Sequence, residues 1–285
     1  MGAIVWLASY PKSGNTWVRA FLTNYTRDGS EPADINDLEG ALIASARWIF
    51  DEVVGVEASD LTASEIARYR PDVYRRLASE SDAPVFVKAH DAFRTRNANA
   101  ALFPAPVTAH AIYIIRNPLD VAVSLAHHHG VSIDQAVCRM CREHTLAHCD
   151  GRLKEQLEQV LLTWSDHVRS WVAESGLRVH LTRYEDMVRD PQPAFEAITE
   201  AAGLELDVDR VTRAIEFSRF EILRAQEQEK GFKERPRRAA EFFRKGQIGD
   251  WRNALTVEHV HRLLDAHGET MRRFGYLTDS GEPLF

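Results

Sequence analysis

The sequence predicts an α/β protein with a central, mainly parallel β-sheet flanked by helices. Two observations carry this. Four short runs, Ala3 to Ser9, Val85 to Ala89, Ala111 to Arg116 and Arg178 to Thr182, are apolar rather than alternating. Strands covered on both faces need that pattern. Longer helical patterns lie between the runs, and strands separated by helices build parallel sheets. The 285 residues are enough for a large core, and one domain over 1–285 is expected.

The first run leads into Tyr10-Pro11-Lys12-Ser13-Gly14-Asn15-Thr16-Trp17, after which Val18, Phe21, Leu22 and Tyr25 fall on one helical side. A strand, a small-residue turn with a lysine and a helix start form an anion site. Backbone N–H groups and the positive helix end converge there, and Lys12 adds a full charge. The order differs from the Walker loop, whose lysine follows its second glycine; here Lys12 precedes Gly14. The second run carries Lys88 and runs into His90, and the third ends at Arg116. Ser132 to His148 has helical spacing. So do Leu153, Leu157, Val160, Leu161, Trp164, Val168, Trp171 and Val172, whose tryptophans are taken as core. The fourth run leads into Arg183-Tyr184-Glu185-Asp186.

Gln226 to Arg238 is polar, contains Gly231 and Pro236, and is expected to be a mobile loop. Phe242 to Trp251 sets two glycines and two cations beside aromatics, a turn suited to gripping an anion. A helix is expected from about Thr256 to Arg273, ended by Gly275. In parallel sheets ligands sit beyond the carboxyl ends of strands. That rule gathers Tyr10 to Thr16, Lys88 to Asp91, Arg116 to Asp120 and Arg183 to Asp186 along one edge.

A net charge of −7 argues against non-specific nucleic-acid binding, so an anion must be held by a local cluster of cations. No apolar run approaches the length of a membrane span. The N-terminus lacks the features of a secretory signal, and three cysteines are too few for a disulfide framework. A cytoplasmic protein is expected. Cys138, Cys141 and His148 share helical spacing, but a tetrahedral zinc site would need further ligands. Buried or half-buried helix positions are the favoured reading.

Three motifs, in order, resemble the PAPS-dependent cytosolic sulfotransferases. Tyr10 to Trp17 is similar to their 5′-phosphosulfate loop. Arg116-Asn117-Pro118-Leu119-Asp120-Val121-Ala122-Val123-Ser124 is similar to their 3′-phosphate strand and helix. Arg244-Lys245-Gly246-Gln247-Ile248-Gly249-Asp250-Trp251 is similar to their C-terminal signature. The opening Trp6-Leu7-Ala8-Ser9-Tyr10-Pro11-Lys12 also resembles bacterial members. The family's fold is a P-loop-like nucleotide-binding α/β sandwich. The resemblance implies PAPS as donor, PAP as product and no metal.

By the same resemblance, Lys12, Ser13, Gly14, Asn15 and Thr16 hold the 5′ end of the donor. Arg116, Ser124, Arg244, Lys245 and Gly246 hold the 3′-phosphate. Trp17, Tyr184 and Phe220 surround adenine, with Ser218 a weaker candidate because Arg219 interrupts its motif. His90 is the expected general base, with Lys88 and Lys12 stabilising the transferring group and the leaving phosphate. One of His127, His128 and His129 is expected near the acceptor, as is the stretch from Asp91 to Pro104. A flexible lid is expected at about 226–243, where Arg235, Arg237 and Arg238 could reach an anion. The family's dimer motif is altered, with Arg252 and His261 in place of Lys and Glu, which leaves a homodimer open.

The expected reaction is sulfuryl transfer to a hydroxyl or phenol of a small molecule. Steroid-like, phenolic, lipid, glycopeptide and other natural-product acceptors all stay open. The alternatives are an ATP-dependent small-molecule kinase, which would need the Walker order and a Mg²⁺ carboxylate, and a non-catalytic nucleotide-binding module, which has no need of His90 beside Lys88.

Overall fold

The computed structural model describes residues 3–93, 101–146, 154–236 and 238–285. Its strands are β1 (Ile4–Ser9), β2 (Val85–Ala89), β3 (Thr108–Ile115), β4 (Thr145–Leu146), β5 (Gln159–Val160) and β6 (Val179–Arg183). The main sheet has the order β2-β1-β3-β6 and every pairing is parallel. The four runs are therefore its four strands. Trp6 lies beside Val87 on one side and Ala111 on the other, and Tyr113 lies beside Leu181.

Successive β1 side chains point to opposite faces. Ile4, Trp6 and Ala8 enter one core with Val87, Tyr113, Trp164 and Trp171. Val5 and Leu7 enter a second core with Ile112, Ile114, Phe21 and Phe195. Both faces of β1 are covered and that run lacks polar alternation; the edge strand β6 is mostly half-buried, and Arg178-Val179-His180-Leu181-Thr182 alternates, against the expectation of an apolar run.

The helices are α1 (Asn15–Arg27), α2 (Arg47–Val54), α3 (Ala63–Ser79), α4 (Pro118–His129), α5 (Ile133–Met140), α6 (Trp164–Val172), α7 (Tyr184–Arg189), α8 (Pro191–Ala201), α9 (Val208–Phe217), α10 (Phe220–Lys230) and α11 (Val257–Arg273). Parallel connections make all four main strands end at one edge. The exits after Ser9, Ala89, Ile115 and Arg183 lie there together.

Three helical expectations are corrected. The helix expected over Ser132 to His148 stops at Met140, and Thr145–Leu146 pairs with Gln159–Val160 as an antiparallel ladder. Among the described residues, the stripe expected to start at Leu153 is helical only from Trp164, where the Thr163 hydroxyl accepts from the Asp166 N–H at 3.1 Å. Leu157 and Leu161 are buried from extended or irregular backbone. Burial alone does not set a period, and the cap at Thr163 marks the true helix start. Leu153 and the proposed zinc candidate His148 lie outside the described residues, as do Cys149 and Arg237. Cys138 and Cys141 are half-buried, and among the described residues no group of three or more His, Cys, Asp or Glu could hold a metal ion.

The third correction concerns the loop expected from Gln226. The helix α10 continues to Lys230, and Gly231 at φ 75° ends it. Gln226 to Lys230 are good helix formers, and their polarity marks an exposed face rather than a loop. Glu227 is nonetheless buried; its carboxylate accepts the N–H groups of Phe242 and Phe243 at 2.8 and 2.9 Å.

Candidate active site

A cleft of about 1550 Å³ opens at the strand exits. It is lined by Lys12, Gly14, Asn15, Thr16, Trp17, Lys88, His90, Arg116, Ser124, Tyr184, Phe220, Arg244, Lys245 and Gly246. Of the residues expected to bind the donor or act on it, Ser13 and the weaker candidate Ser218 are not on the cleft wall; Ser13 is buried, and its hydroxyl has no partner among the described residues. Ser218 is also buried, with its hydroxyl turned to the Ile215 carbonyl at 3.2 Å.

The turn after β1 is held by its own neighbours. Asn15 Nδ2 donates to the Leu7 carbonyl at 2.8 Å and to Ser9 Oγ at 3.3 Å. Lys12 has φ 69° and Gly14 φ 108°, both left-handed. A Cβ on Gly14 would come within 2.7 Å of the Tyr184 ring, so only glycine suits this position. The first N–H groups of α1 have no intrahelical acceptor and face this turn with the positive helix end.

Lys12 Nζ lies 3.4 Å from His128 Nδ1 and 4.0 Å from the Phe242 ring centre. Burial, with Arg116 and Lys88 nearby, pushes Lys12 down to about 7. Burial and the Lys12 charge push His128 down to about 2, so it is a neutral acceptor for Lys12. His128 and His129 line the cleft, whereas His127 is exposed and does not.

His90 Nδ1 lies 2.9 Å from the Ser9 carbonyl. A carbonyl only accepts, so Nδ1 carries the proton and Nε2 keeps a free lone pair. Burial, then the Lys88 charge, push His90 down to about 3, and the ring is neutral at neutral pH. The His90 carbonyl accepts from His167 Nε2 at 3.0 Å, and His167 Nδ1 takes the Tyr113 hydroxyl at 2.8 Å. The next residue, Asp91, is gripped by both terminal nitrogens of Arg70 at 2.9 and 2.8 Å, with all partners buried. This exit is therefore fixed on both sides of His90.

A second cation cluster comes from distant segments. Arg116 donates to the Lys12 carbonyl at 3.2 Å and the Gln247 carbonyl at 3.0 Å, and its guanidinium lies 4.2 Å from the Tyr184 ring centre. Its Nε is buried without a partner among the described residues. Arg244 and Lys245 both bind the Asp250 carboxylate. Asp120 accepts the N–H groups of Gly249 and Trp251 at 2.8 and 3.0 Å, tying α4 to this segment. Gly246 has φ 62°, and a Cβ there would meet the Phe220 ring at 2.5 Å. Trp17 stands edge-on to Tyr184 with ring centres 5.8 Å apart.

The segment after α10 adds Lys233, Glu234, Arg235 and Pro236 to the cleft wall. Glu234 binds Lys88 Nζ at 2.8 Å and Arg19 Nη1 at 2.7 Å. Arg235 lines the cleft and Arg238 is exposed. The sequence reading missed Glu234, Arg70 and the tie made by Asp120. Asp120 stands inside a recognised motif and was open to question there. Glu234 is one charge in a polar stretch and carries no sequence signal.

A sulfotransferase domain model matches residues 4–275. Sulfotransferase 2B1 of Rattus norvegicus is 24% identical over 282 residues, covering 94% of this chain and 70% of the relative. An amine sulfotransferase of Oryctolagus cuniculus is 24% identical over 278 residues, covering 95% and 81%. Among solved structures, a retinol dehydratase complexed with retinol and PAP has a TM-score of 0.61 at 19% identity, covering 94% of this chain and 81% of that one. Mouse sulfotransferase SULT7A1 complexed with PAP has a TM-score of 0.57 at 19% identity, covering 98% and 86%. The motif order, the two cation clusters and the match from residue 4 to residue 275 together make this chain a member of the sulfotransferase family, the PAPS-dependent enzymes that its motifs resemble.

Proposed function

We propose that the protein transfers the sulfuryl group of PAPS to a hydroxyl or phenol of a small molecule, with His90 as general base. The observation that carries this is the His90 ring: Nδ1 is tied to the Ser9 carbonyl, and the ring lines a cleft shared with Lys12 and Lys88. The residues present suit the donor. Among the described residues, buried polar atoms on Trp17 and Arg116, both on the cleft wall, have no hydrogen-bond partner. At the left-handed Gly14 and Gly246 the missing side chains make room for the Tyr184 and Phe220 rings, the expected adenine contacts.

Lys12, Gly14, Asn15 and Thr16 bind the 5′ end, and Arg116, Ser124, Arg244, Lys245 and Gly246 the 3′-phosphate. Trp17, Tyr184 and Phe220 contact adenine. His90 Nε2 takes the acceptor proton as the acceptor oxygen bonds to sulfur. The bond from sulfur to the bridging oxygen breaks, and Lys12 meets the charge that develops on that oxygen. Catalysis is then positioning plus electrostatics around an in-line displacement. The segment 231–243 acts as the lid.

Ala41, Ile43, Val131, Leu146 and Leu161 give the acceptor side an apolar wall. Arg139 and Arg142 join it. This favours an acceptor with an apolar body and an anionic or hydrogen-bond-accepting group.

The test supplies PAPS or ATP with a panel of phenols and hydroxyl compounds, half of them bearing a carboxylate, and follows group transfer. Transfer from PAPS that is lost in His90→Ala is expected. Transfer from ATP but not PAPS would overturn the reading, and full transfer in His90→Ala would remove the base assignment.

A further inference from the structure

Lys88 is a long side chain at a strand exit, and among the described residues one hydrogen bond holds its ammonium: Glu234 Oε2 at 2.8 Å. The other carboxylate oxygen of Glu234 accepts from Arg19 at 2.7 Å. Arg19 is itself only 1% exposed, and its Nε donates to the Glu39 carbonyl at 3.2 Å. Arg19 belongs to α1, two residues beyond Trp17, so the carboxylate is clamped to the helix whose start forms the donor turn.

Three elements thus meet at one carboxylate: α1, the end of β2 and the segment after α10. The charged and titratable groups facing Lys88 are Glu234 and Arg19, with Lys12, His90 and His128 also within its field. Four of these five are cations or neutral rings, so Glu234 is the anion that favours a charged Lys88. Burial pulls the Lys88 ammonium down, and Glu234 opposes that pull. Burial would raise the Glu234 carboxyl, but Lys88 and Arg19 hold it at about 2, so it stays ionised through the neutral range.

We propose that Glu234 is a positioning residue for the reaction: fixed by Arg19, it holds the Lys88 ammonium charged and aimed at the transferring group. This rests on the reading that Lys88 serves sulfuryl transfer. The lid segment then does more than exclude water, because its carboxylate completes the site only when seated. A simple latch would behave differently. It would hold the segment down whatever stands at position 88, and its loss would weaken donor binding and thermal stability without involving Lys88.

A double-mutant cycle separates the two, with PAPS and a phenol acceptor at saturation. Glu234→Gln keeps the shape and removes the charge. We expect its kcat to fall about 10- to 100-fold, the equivalent of one charged hydrogen bond. Its alkaline limb should move to lower pH, because a Lys88 without its carboxylate loses its proton earlier. Glu234→Asp keeps the charge and should leave that limb near its wild-type pH. In a Lys88→Met background, Glu234→Gln should change kcat no further. An equal loss in both backgrounds, or wild-type kcat in Glu234→Gln, would overturn the inference while leaving the enzyme reading intact. Full kcat in Lys88→Met would instead remove the role of Lys88, and the inference with it. Should Glu234→Gln not fold, the Asp variant carries the same cycle, with partial loss expected with Lys88 and none beyond it without.

Discussion

The two cation clusters of the cleft are built in opposite ways. Lys12 stands on a turn whose support is local: β1 before it, α1 after it, and Asn15 bonded back to Leu7 and Ser9. Arg244 and Lys245 stand on a stretch without regular structure, held by Asp250 and, through Gly249 and Trp251, by Asp120 on α4. Arg116 bridges them, donating to carbonyls of both segments. The first cluster is rigid by geometry and lowers the charge of its own lysine. The second is partly neutralised by one carboxylate, Asp250 against two cations. The difference suggests separate tasks, chemistry at the local site and donor capture at the composite one.

Substitutions should divide along that line. The largest effect is expected from His90→Ala, which belongs with the rigid strand exits: transfer should fall about 10²- to 10⁴-fold, the usual worth of a general base. PAP affinity measured by calorimetry should be unchanged, and a matching loss of affinity would erase the division. Next, Arg244→Ala combined with Lys245→Ala should weaken PAP about 10- to 100-fold through lost charged hydrogen bonds. At saturating donor its kcat should be kept, and a kcat loss with intact affinity would reverse the assignment.

A smaller effect is expected from Gly246→Ala. A side chain at φ 62° costs about 1–2 kcal/mol, and the Phe220 ring stands where the Cβ would go. PAP binding should weaken about 5- to 30-fold on the strain alone. Wild-type affinity would mean that the turn rearranges freely.

The smallest effect is a proton count. In the free protein Lys12 is pushed down to about 7, first by burial. A bound phosphate favours its charged form and lifts it back toward the ordinary lysine value of 10.5. Binding must then take up a fraction of a proton between those values, so PAP affinity should rise as pH falls toward 7. Calorimetry of PAP binding in buffers of different ionisation enthalpy at pH 8 measures the uptake. Proton release, or uptake that persists in Lys12→Met, would show that another group is responsible.

Much of this site was legible in sequence because its pieces are short-range. A strand, its exit and the following helix start are neighbours in the chain, so Lys12, Lys88, His90 and Arg116 could be set on one edge from pattern and the parallel-sheet rule. Elements without a local marker were misjudged. The stripe from Leu157 to Val172 has helical spacing, yet only its second half is helical, because burial on several sides imitates a period. The polar stretch after Gln226 looked like a loop, and Glu227 instead fastens Phe242 and Phe243 from inside a helix.

By itself the sequence determined the sheet, the strand-exit residues, the donor-binding motifs and the family, since each depends on residues close in the chain or on a whole motif. Only the tertiary structure decided which way the charges pair. It set Asp250 on Arg244 and Lys245, Asp120 on the N–H groups of Gly249 and Trp251, His128 against Lys12, and Glu234 between Lys88 and Arg19. The physical reason is that a pairing energy depends on separation and burial in space. Glu234 lies 146 positions from Lys88 and 215 from Arg19 along the chain, and nothing local to it records either partner.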